Sequence, residues 1–244
     1  MSTLTATDPK ATVLPQLEGS TWPGADEALA QVHALPVPTS KTEAWKYTRV
    51  GKLFNQPYAA PKGDVNVALP ARLPFEVTRV VFVNGHFRAD LSDDLKGQKG
   101  LVIDSLKHHL AHGPVKEHYG TLASTSERLF TAMNTAAPTD GLILLVTKGV
   151  KVEKPIHVLH VTTWERQLVQ PRDLFMLHEG AEAEVIIEHV ALDTPDAFVN
   201  SVRECVVGED ARLTIHKLQH EVNGPANISF EGVRVASKGH FSLS

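Results

Sequence analysis

Apolar and polar side chains alternate along short stretches in the second half of the chain. Residues 181–185 alternate between apolar and acidic side chains, and residues 211–215 repeat the alternation with apolar Ala211, Leu213 and Ile215. A period of two residues places the apolar side chains on one face of a β-strand and the polar ones on the other. The pattern therefore predicts strands throughout the chain from residue 141 onward.

The strands recur at a nearly constant interval. Each copy has an apolar strand, a charged residue followed by Gly or Asp, and a second strand. The turns begin at Lys148, Glu179, Glu209 and Lys238. Successive starts differ by 31, 30 and 29 residues, and in the fourth copy the apolar positions slip by one residue, to Phe241 and Leu243. Gly or Asp in the second turn position suits a left-handed backbone.

A repeat of this length is typical of a solenoid. Because pairs of short strands repeat with no helix between them, the pattern favours a parallel β-helix over an array of helical repeats. A β-sandwich also contains short alternating strands and is the competing interpretation.

The first 140 residues predict short helices, loops and a few strands. Residues 25–33 have a helical pattern with acidic side chains in the first turn, where the helix dipole stabilises them. Ser40 and Glu43 have the Ser-x-x-Glu spacing of a capping box, which predicts a second helix starting at Ser40. The β-branched run 77–83, followed by an Asn-Gly pair, predicts a strand and a tight turn.

These patterns divide the chain into three predicted regions. A helical and loop region covers residues 1–75, an α/β connecting region covers 76–140, and the parallel β-helix covers 141–244. Solenoids need a terminal cap that protects their last edge. Because the chain stops within a fourth turn, at 241–244, we expect the β-helix to be incomplete at its C-terminal end and the sequence to belong to a longer protein.

Composition and the absence of targeting patterns limit where the protein works and what it binds. Hydrophobic residues make up 42% of 244, enough for a substantial core. The 24 basic and 28 acidic residues give a net charge of −4, which argues against a general nucleic-acid binder. The N-terminus lacks the pattern of a secretory signal, and no apolar run approaches the roughly 18 residues that span a membrane. We expect a cytoplasmic protein that binds neither nucleic acid nor membrane.

The 13 histidines raise the question of a metal site. His157 and His160 are spaced for neither a helix face nor one face of a strand. Stacked coils can bring His157 or His160 close to His189 or His216, which is the metal-site hypothesis. We favour the simpler interpretation that these histidines are solvated or hydrogen-bonded on a β surface, and we assign no metal, cofactor or catalytic residue.

Other residues with chemical potential also have simpler interpretations. His108 and His112 are spaced to share a ligand on a helix, without the His-Glu-x-x-His pattern. The single cysteine, Cys205, excludes an internal disulfide and a cysteine-based cluster site built by this chain alone. It lies in an apolar strand, so we expect it in the core in preference to a persulphide or cluster-ligand role. An acidic stripe is expected to be a solvated face: Glu182, Glu184 and Glu188.

Several strings resemble those of SufD-type proteins in the SufB/SufD family. Residues 38–48 read Pro-Thr-Ser-Lys-Thr-Glu-Ala-Trp-Lys-Tyr-Thr, similar to the N-terminal signature with its Glu-x-Trp-Lys/Arg-Tyr-Thr core. Residues 133–141 resemble the entry to the β-helix of that family, and residues 206–213 resemble a later coil. The resemblance runs in the expected order from about residue 36 to the end.

The resemblance implies a fold and a function. Its members have a right-handed parallel β-helix and a C-terminal helical segment, which this sequence lacks. The implied function is a non-catalytic scaffold subunit of a SufB–SufC–SufD-type complex that assembles and transfers iron–sulphur clusters. The implied partners are a SufB-type paralogue and a SufC-type ATPase, with a homodimer through the β-helix as a further option. The cluster is transient and belongs to the complex, not to this chain alone.

The resemblance also marks four residues of the signature. They are Glu43, Trp45, Lys46 and Tyr47. Either they anchor the N-terminal segment to the body of the protein or they contact a partner, and for the two aromatic rings we favour anchoring. The chain is not the ATPase itself, because it lacks the Gly-x-x-x-x-Gly-Lys-Ser/Thr phosphate loop.

Two other classes of function compete with the scaffold. The main alternative is a polysaccharide-binding or lyase-type protein on a β-helix. Such enzymes usually work outside the cytoplasm and need a charged cluster on one coil face or an acid pair. A cupin-like metal enzyme would need a His-x-His motif followed by Glu, which is missing. Fold alone does not decide among these functions.

Overall fold

A computed structural model describes residues 8–163, 166–192, 196–221 and 224–244. The protein is mainly β, with 34% strand and 17% helix, and its body is a parallel β-solenoid of about 3 turns. The predicted fold class is therefore confirmed in preference to a β-sandwich. Among the described residues, no helix is both long and apolar enough to cross a membrane.

The helical elements lie before the solenoid turns. The α-helices are α1 (Ala25–Ala34), α2 (Gly113–His118) and α3 (Leu129–Ala136). Single 3₁₀ turns occur at Leu14–Gln16, Glu43–Trp45, Gly51–Phe54 and Leu106–His109. The helix predicted over residues 25–33 is confirmed as α1, with Asp26 and Glu27 in its first turn.

The prediction of a second N-terminal helix that starts at Ser40 is wrong. Only the 3₁₀ turn at Glu43–Trp45 forms, and its N-cap is Thr42, whose side chain makes no capping bond. The Thr42 hydroxyl instead accepts a hydrogen bond from the backbone N–H of Thr39, at 3.3 Å. Local bonds of this kind compete with helix formation, so the capping box does not assemble.

Twelve strands build two sheets in the described residues. Their bounds are β1 (Thr78–Val83), β2 (His86–Phe87), β3 (Leu101–Ser105), β4 (Leu142–Val146), β5 (Ile156–Thr162), β6 (Leu168–Val169), β7 (Arg172–Leu177), β8 (Glu182–Ala191), β9 (Phe198–Val207), β10 (Arg212–His220), β11 (Ala226–Val235) and β12 (His240–Leu243). One sheet has the order β12-β10-β8-β5-β1-β2. The other has the order β11-β9-β7-β4-β3, with β6 also paired to β9.

Strand pairing within the solenoid is parallel. Successive coils add β5, β8, β10 and β12 to one sheet and β4, β7, β9 and β11 to the other. The antiparallel pairs are β1 with β2 and β3 with β4. Because β1 pairs in parallel with β5, the connecting region contributes a strand to the same sheet. The three-region division itself stays a prediction.

Left-handed residues mark the turns. The predicted turn after β1 is confirmed, with positive φ at Asn84 and Gly85, as a tight two-residue hairpin requires. In the repeat, the left-handed residues are Gly149, Gly180, Asp210 and Lys238, with φ of 72°, 66°, 54° and 54°. The prediction that Gly or Asp takes this position is therefore confirmed in the first three copies.

The fourth turn starts one residue earlier than predicted. Its left-handed residue is Lys238, and the register pairs Leu213 with Phe241 and Ile215 with Leu243. The predicted slip of apolar positions is therefore wrong, because it came from aligning the turn on Gly239. That glycine serves close packing, since a Cβ there would lie 2.8 Å from a backbone carbonyl oxygen of the coil below.

Two large apolar clusters, among four in the described residues, make up most of the core. The solenoid interior is filled by buried side chains from both sheets, among them Phe82, Leu144, Val158, Phe175, Val185 and Leu213. A second cluster packs α1 and the N-terminal segment against α3, with Phe130 and Met133 at its centre. Burial of this apolar area is the main driving force for the fold.

Candidate functional site

The solenoid interior changes from apolar to charged side chains along three neighbouring strands. Asp173 of β7, Arg203 of β9 and Glu231 of β11 lie at paired positions. Arg203 bonds the Asp173 carboxylate at 2.7 Å and Glu231 at 3.4 Å, and Lys217 bonds Glu231 at 2.8 Å. Burial acts to lower the pKa of Arg203, but the neighbouring carboxylates outweigh it and raise that pKa. Two cations and two anions therefore form one paired chain of charges.

Two histidines stack in the same interior. His160 and His189 are opposite each other on β5 and β8, with ring centroids 4.8 Å apart and an interplanar angle of 10°. Phe82 stacks on the other side of His160 at 5.2 Å. Burial lowers the pKa of His160 to about 3 and that of His189 well below its usual value. Both rings are therefore neutral at pH 7 and form part of a stacked ladder.

The structure thus confirms that adjacent coils bring His160 close to His189, as the sequence suggested. The metal-site hypothesis gains no geometry from this contact. Within the described ranges, no group of three or more His, Cys, Asp or Glu side chains is arranged to hold a metal ion.

A second histidine pair lies around one buried carboxylate. His157 Nε2 is 2.8 Å from Glu188, and His220 Nδ1 is 2.9 Å from the other oxygen of the same carboxylate. The Arg79 guanidinium donates to His157 Nδ1 at 3.4 Å, so Nε2 carries the proton that bonds Glu188. Burial lowers the pKa of His157, and the Glu188 carboxylate opposes that shift only in part.

The prediction that the acidic stripe is a solvated face is therefore wrong for one of its three members. Glu188 is buried, because β8 lies between two strands that each place a histidine over it. The other two carboxylates remain accessible and pair with neighbours: Glu182 with Lys151 at 2.8 Å and Glu184 with His216 at 3.3 Å.

A fully buried ion pair joins the solenoid to the helical region. The side chains of Arg172 and Glu204 have no exposed surface, and their closest atoms are 2.6 Å apart. Glu204 also accepts hydrogen bonds from the backbone N–H groups of Gly120 at 2.8 Å and Leu122 at 2.7 Å. Arg172 donates to the Thr135 hydroxyl of α3 at 2.9 Å. The pair therefore fixes a loop and a helix onto β7 and β9.

Sequence reasoning missed this ion pair. A usable signal was present, because Arg172-Asp173 and Arg203-Glu204 are charged pairs directly before apolar runs, 31 residues apart. Buried charges at repeat spacing indicate partners in the neighbouring coil.

The predicted helical pair His108 and His112 does not form. His108 lies in a 3₁₀ turn, and His112 is the N-cap of α2, so no continuous helix joins them. Asp104 instead contacts His108 at 3.2 Å and His109 at 3.0 Å. His109 and His112 contact each other through their Nδ1 atoms at 2.8 Å.

Cys205 lies in the solenoid core, as the sequence predicted. The side chain is fully buried and pairs in register with Phe175. Burial raises the pKa of the thiol to about 12. Because the thiolate is the reactive form, this environment disfavours reaction at Cys205.

The signature residues divide between anchoring and exposure. Trp45 is half-buried, with its ring 4.9 Å from Phe130 of α3, which is a contact of the kind that anchoring requires. Tyr47 is 90% exposed. Because a 3₁₀ helix has three residues per turn, the side chains of Trp45 and Tyr47, two positions apart, point in different directions. Glu43 and Lys46 are also exposed. The choice between anchoring and partner contact stays a prediction for the signature residues.

Comparison with known proteins matches two family models in consecutive order. The model described as the SufBD protein N-terminal region matches residues 24–158. The model described as the SUF system FeS cluster assembly, SufBD core domain, matches residues 160–244.

Individual relatives agree with these matches. The chain is 24% identical to an iron–sulphur cluster assembly SufBD family protein of Synechocystis, over 86% of this chain and 50% of the relative. It is 26% identical to the iron–sulphur cluster assembly protein SufD of Escherichia coli, over 82% and 46%. It is 29% identical to the chloroplastic protein ABCI7 of Arabidopsis thaliana, over 89% and 48%. The chain therefore spans about half the length of the curated relatives it matches.

Proposed function

The chain belongs to the SufBD family of iron–sulphur cluster assembly proteins, and from this premise we propose that it is a non-catalytic scaffold subunit. Its partners in this proposal are a SufB-type paralogue and a SufC-type ATPase. The observation that carries the proposal is that both SufBD regions match in consecutive order and that the core-domain match, residues 160–244, lies in the parallel solenoid. Solenoids offer extended surfaces on which other proteins assemble.

The environment of the ionisable side chains supports a structural role. Glu204 accepts three hydrogen bonds and has no exposed surface. His160 and His189 are stacked and neutral, and the Cys205 thiol stays protonated. These groups are buried in internal contacts of the solenoid, as expected of residues with a structural role.

The remaining parts of the proposal concern the cluster and the location. The iron–sulphur cluster is the cargo, held transiently by the complex and not by this chain alone. The complex works in the cytoplasm, without nucleic acid or membrane as a partner. A homodimer through the β-helix is the alternative arrangement when the paralogue is absent.

Co-purification tests the proposal directly. The tagged protein is co-expressed with the SufB-type and SufC-type proteins of its own organism, and the complex is analysed by gel filtration with light scattering. We expect one species with defined stoichiometry that gains iron and sulphide on anaerobic reconstitution. A matched control carries the same tag on another cytoplasmic protein.

Two outcomes separate the alternatives. If the protein elutes alone while the SufB-type and SufC-type proteins bind each other, the scaffold function is rejected and glycan-binding assays follow. If it elutes alone as a dimer and the partners also stay apart, the homodimer arrangement is favoured over the ternary complex.

A further inference from the structure

Residues 41–52 form an exposed basic segment. Its cations are Lys41, Lys46, Arg49 and Lys52. All four are exposed, and none forms an ion pair with any residue in the described part of the chain. Glu43 is the single acidic residue of the segment. A local excess of positive charge therefore stands out on a chain whose net charge is −4.

The basic segment also presents an aromatic ring to solvent. Tyr47 is 90% exposed, the largest value among the exposed large hydrophobic side chains described. The Lys46 ammonium lies 5.4 Å from the centre of its ring. Tyr and Arg are enriched at protein–protein interfaces, where they supply contact area and hydrogen bonds.

An apolar groove adjoins the basic segment at Trp45. It has a volume of about 380 Å³. Its apolar walls come from the N-terminal segment, the start of α3 and strand β11: Pro38, Trp45, Leu129, Phe130, Ile228 and Phe230. The Arg128 guanidinium lies 5.0 Å from the ring centre of Phe230 at its rim, and Glu127 also lines it. We call this cavity the Trp45 groove, and its volume is that of a small ligand pocket.

The basic segment and the Trp45 groove are both anchored by packing against buried side chains. Trp45 packs on Phe130, and Phe54 packs on the same ring at a centroid distance of 6.1 Å. Val50 and Leu53 are buried, so the segment is attached at Trp45 and at its C-terminal end. A preorganised surface loses little conformational entropy when a partner binds.

We propose that the basic segment and the Trp45 groove form one docking surface for an acidic peptide segment of a partner protein. An apolar side chain of the peptide occupies the groove, and its carboxylates contact the unpaired cations. Charge complementarity identifies this occupant, because the twelve residues of the basic segment contain four accessible cations and only one anion. A phosphate backbone or lipid headgroup would use the cations but leave the apolar groove and Tyr47 unexplained.

Fluorescence anisotropy tests the docking surface with a defined probe. The probe is a fluorescein-labelled peptide with one central Phe flanked on both sides by Asp and Glu. Two matched peptides replace the Phe by Ser, or the acidic residues by Lys. The Lys46→Glu/Arg49→Glu variant is compared with a control, Lys96→Glu/Lys99→Glu, which makes the same charge change at exposed lysines elsewhere.

We expect the first variant to weaken binding of the acidic Phe peptide by about tenfold or more, and the control by about twofold or less. Ala44→Trp, which fills the groove, should weaken binding of the Phe peptide but leave the Ser peptide unchanged. Higher salt should weaken all binding. Circular dichroism verifies that each variant remains folded.

Several results would overturn the proposal. They are equal losses in the two double variants, equal binding of the Phe and Ser peptides, or binding of phosphatidylserine vesicles or single-stranded DNA where the peptide does not bind. The same variants enter the co-purification experiment separately. If the complex forms but no peptide binds, only the docking surface is rejected and the scaffold function stands.

Discussion

Neutralising Glu204 tests whether the buried ion pair holds the helical region on the solenoid. Glu204→Gln keeps the size of the side chain, so no cavity opens. The three partners of Glu204 are all donors: the Arg172 guanidinium and two backbone N–H groups. The new amide nitrogen must therefore face a donor, and Arg172 is left as a buried charge without its counterion.

The structure sets the size of the effect. Removing one charge from a fully buried pair costs about 3–5 kcal/mol, because the remaining charge stays buried. That is a large part of the roughly 5–15 kcal/mol that stabilises a typical domain. With a urea dependence of about 2 kcal/mol per molar, the unfolding midpoint should fall by about 2 M. Replacing both residues, as Arg172→Met/Glu204→Gln, should be less harmful than the sum of the single changes by about 2 kcal/mol.

Urea unfolding followed by far-UV circular dichroism and tryptophan fluorescence measures this effect. Trp22 lies near the pair, because its ring is 6.0 Å from Tyr119, over which Arg172 stacks at 4.8 Å. Coincident curves from the two probes establish a two-state transition. Glu179→Gln is the matched control, since its pair with Lys148 at 2.7 Å is exposed and should contribute about 1 kcal/mol or less.

The structural role of the ion pair is refuted if the free energy of unfolding of Glu204→Gln stays within about 1 kcal/mol of the parent value. It is also refuted if the double variant loses the full sum of the two single changes, because the charges would then act independently.

Three further predictions concern other parts of the fold. Lys10→Met should lower the free energy of unfolding by about 1–3 kcal/mol, since the ammonium donates to three carbonyls at the end of α1 at 2.7, 2.8 and 2.9 Å. Urea unfolding measures this loss, and the control Lys41→Met should have the stability of the parent. Equal losses in the two variants would contradict the role of Lys10. Gly141→Ala should destabilise the protein by about 3 kcal/mol or prevent folding, because its Cβ would lie 1.7 Å from a β7 carbonyl oxygen. The control is Gly97→Ala, whose Cβ meets open space. Similar melting temperatures for the two variants would exclude the close approach at Gly141. Burial lowers the pKa of His160 from 6.5 to about 3, so the folded state binds fewer protons than the unfolded state, and stability is full above about pH 6.5 and falls with pH below it. His160→Phe should recover about 2 kcal/mol of the loss between pH 6.5 and 5, and an unchanged pH profile would disprove the buried neutral ring.

Local pattern was enough to predict much of the fold. Alternation predicted the strands, and the repeat predicted that they stack in parallel coils. The Asn84-Gly85 pair predicted the β1–β2 hairpin, because few residues other than Asn and Gly adopt left-handed backbone easily. The family resemblance, which the comparisons bear out, rested on contiguous strings such as residues 38–48. Each of these signals is a pattern of residue types along the sequence, so it can be read from one sequence without knowing which side chains meet in space.

Contacts between coils required the tertiary structure. Glu188 is buried and His160 stacks on His189 because the register between strands sets which side chains meet. An error of one residue in a turn, as at Gly239, moves every side chain of that strand to the opposite face. The sequence therefore determined which segments form strands and that they repeat. Only the folded structure decided which charges are paired and which stay exposed, because burial depends on residues about thirty positions away in the chain.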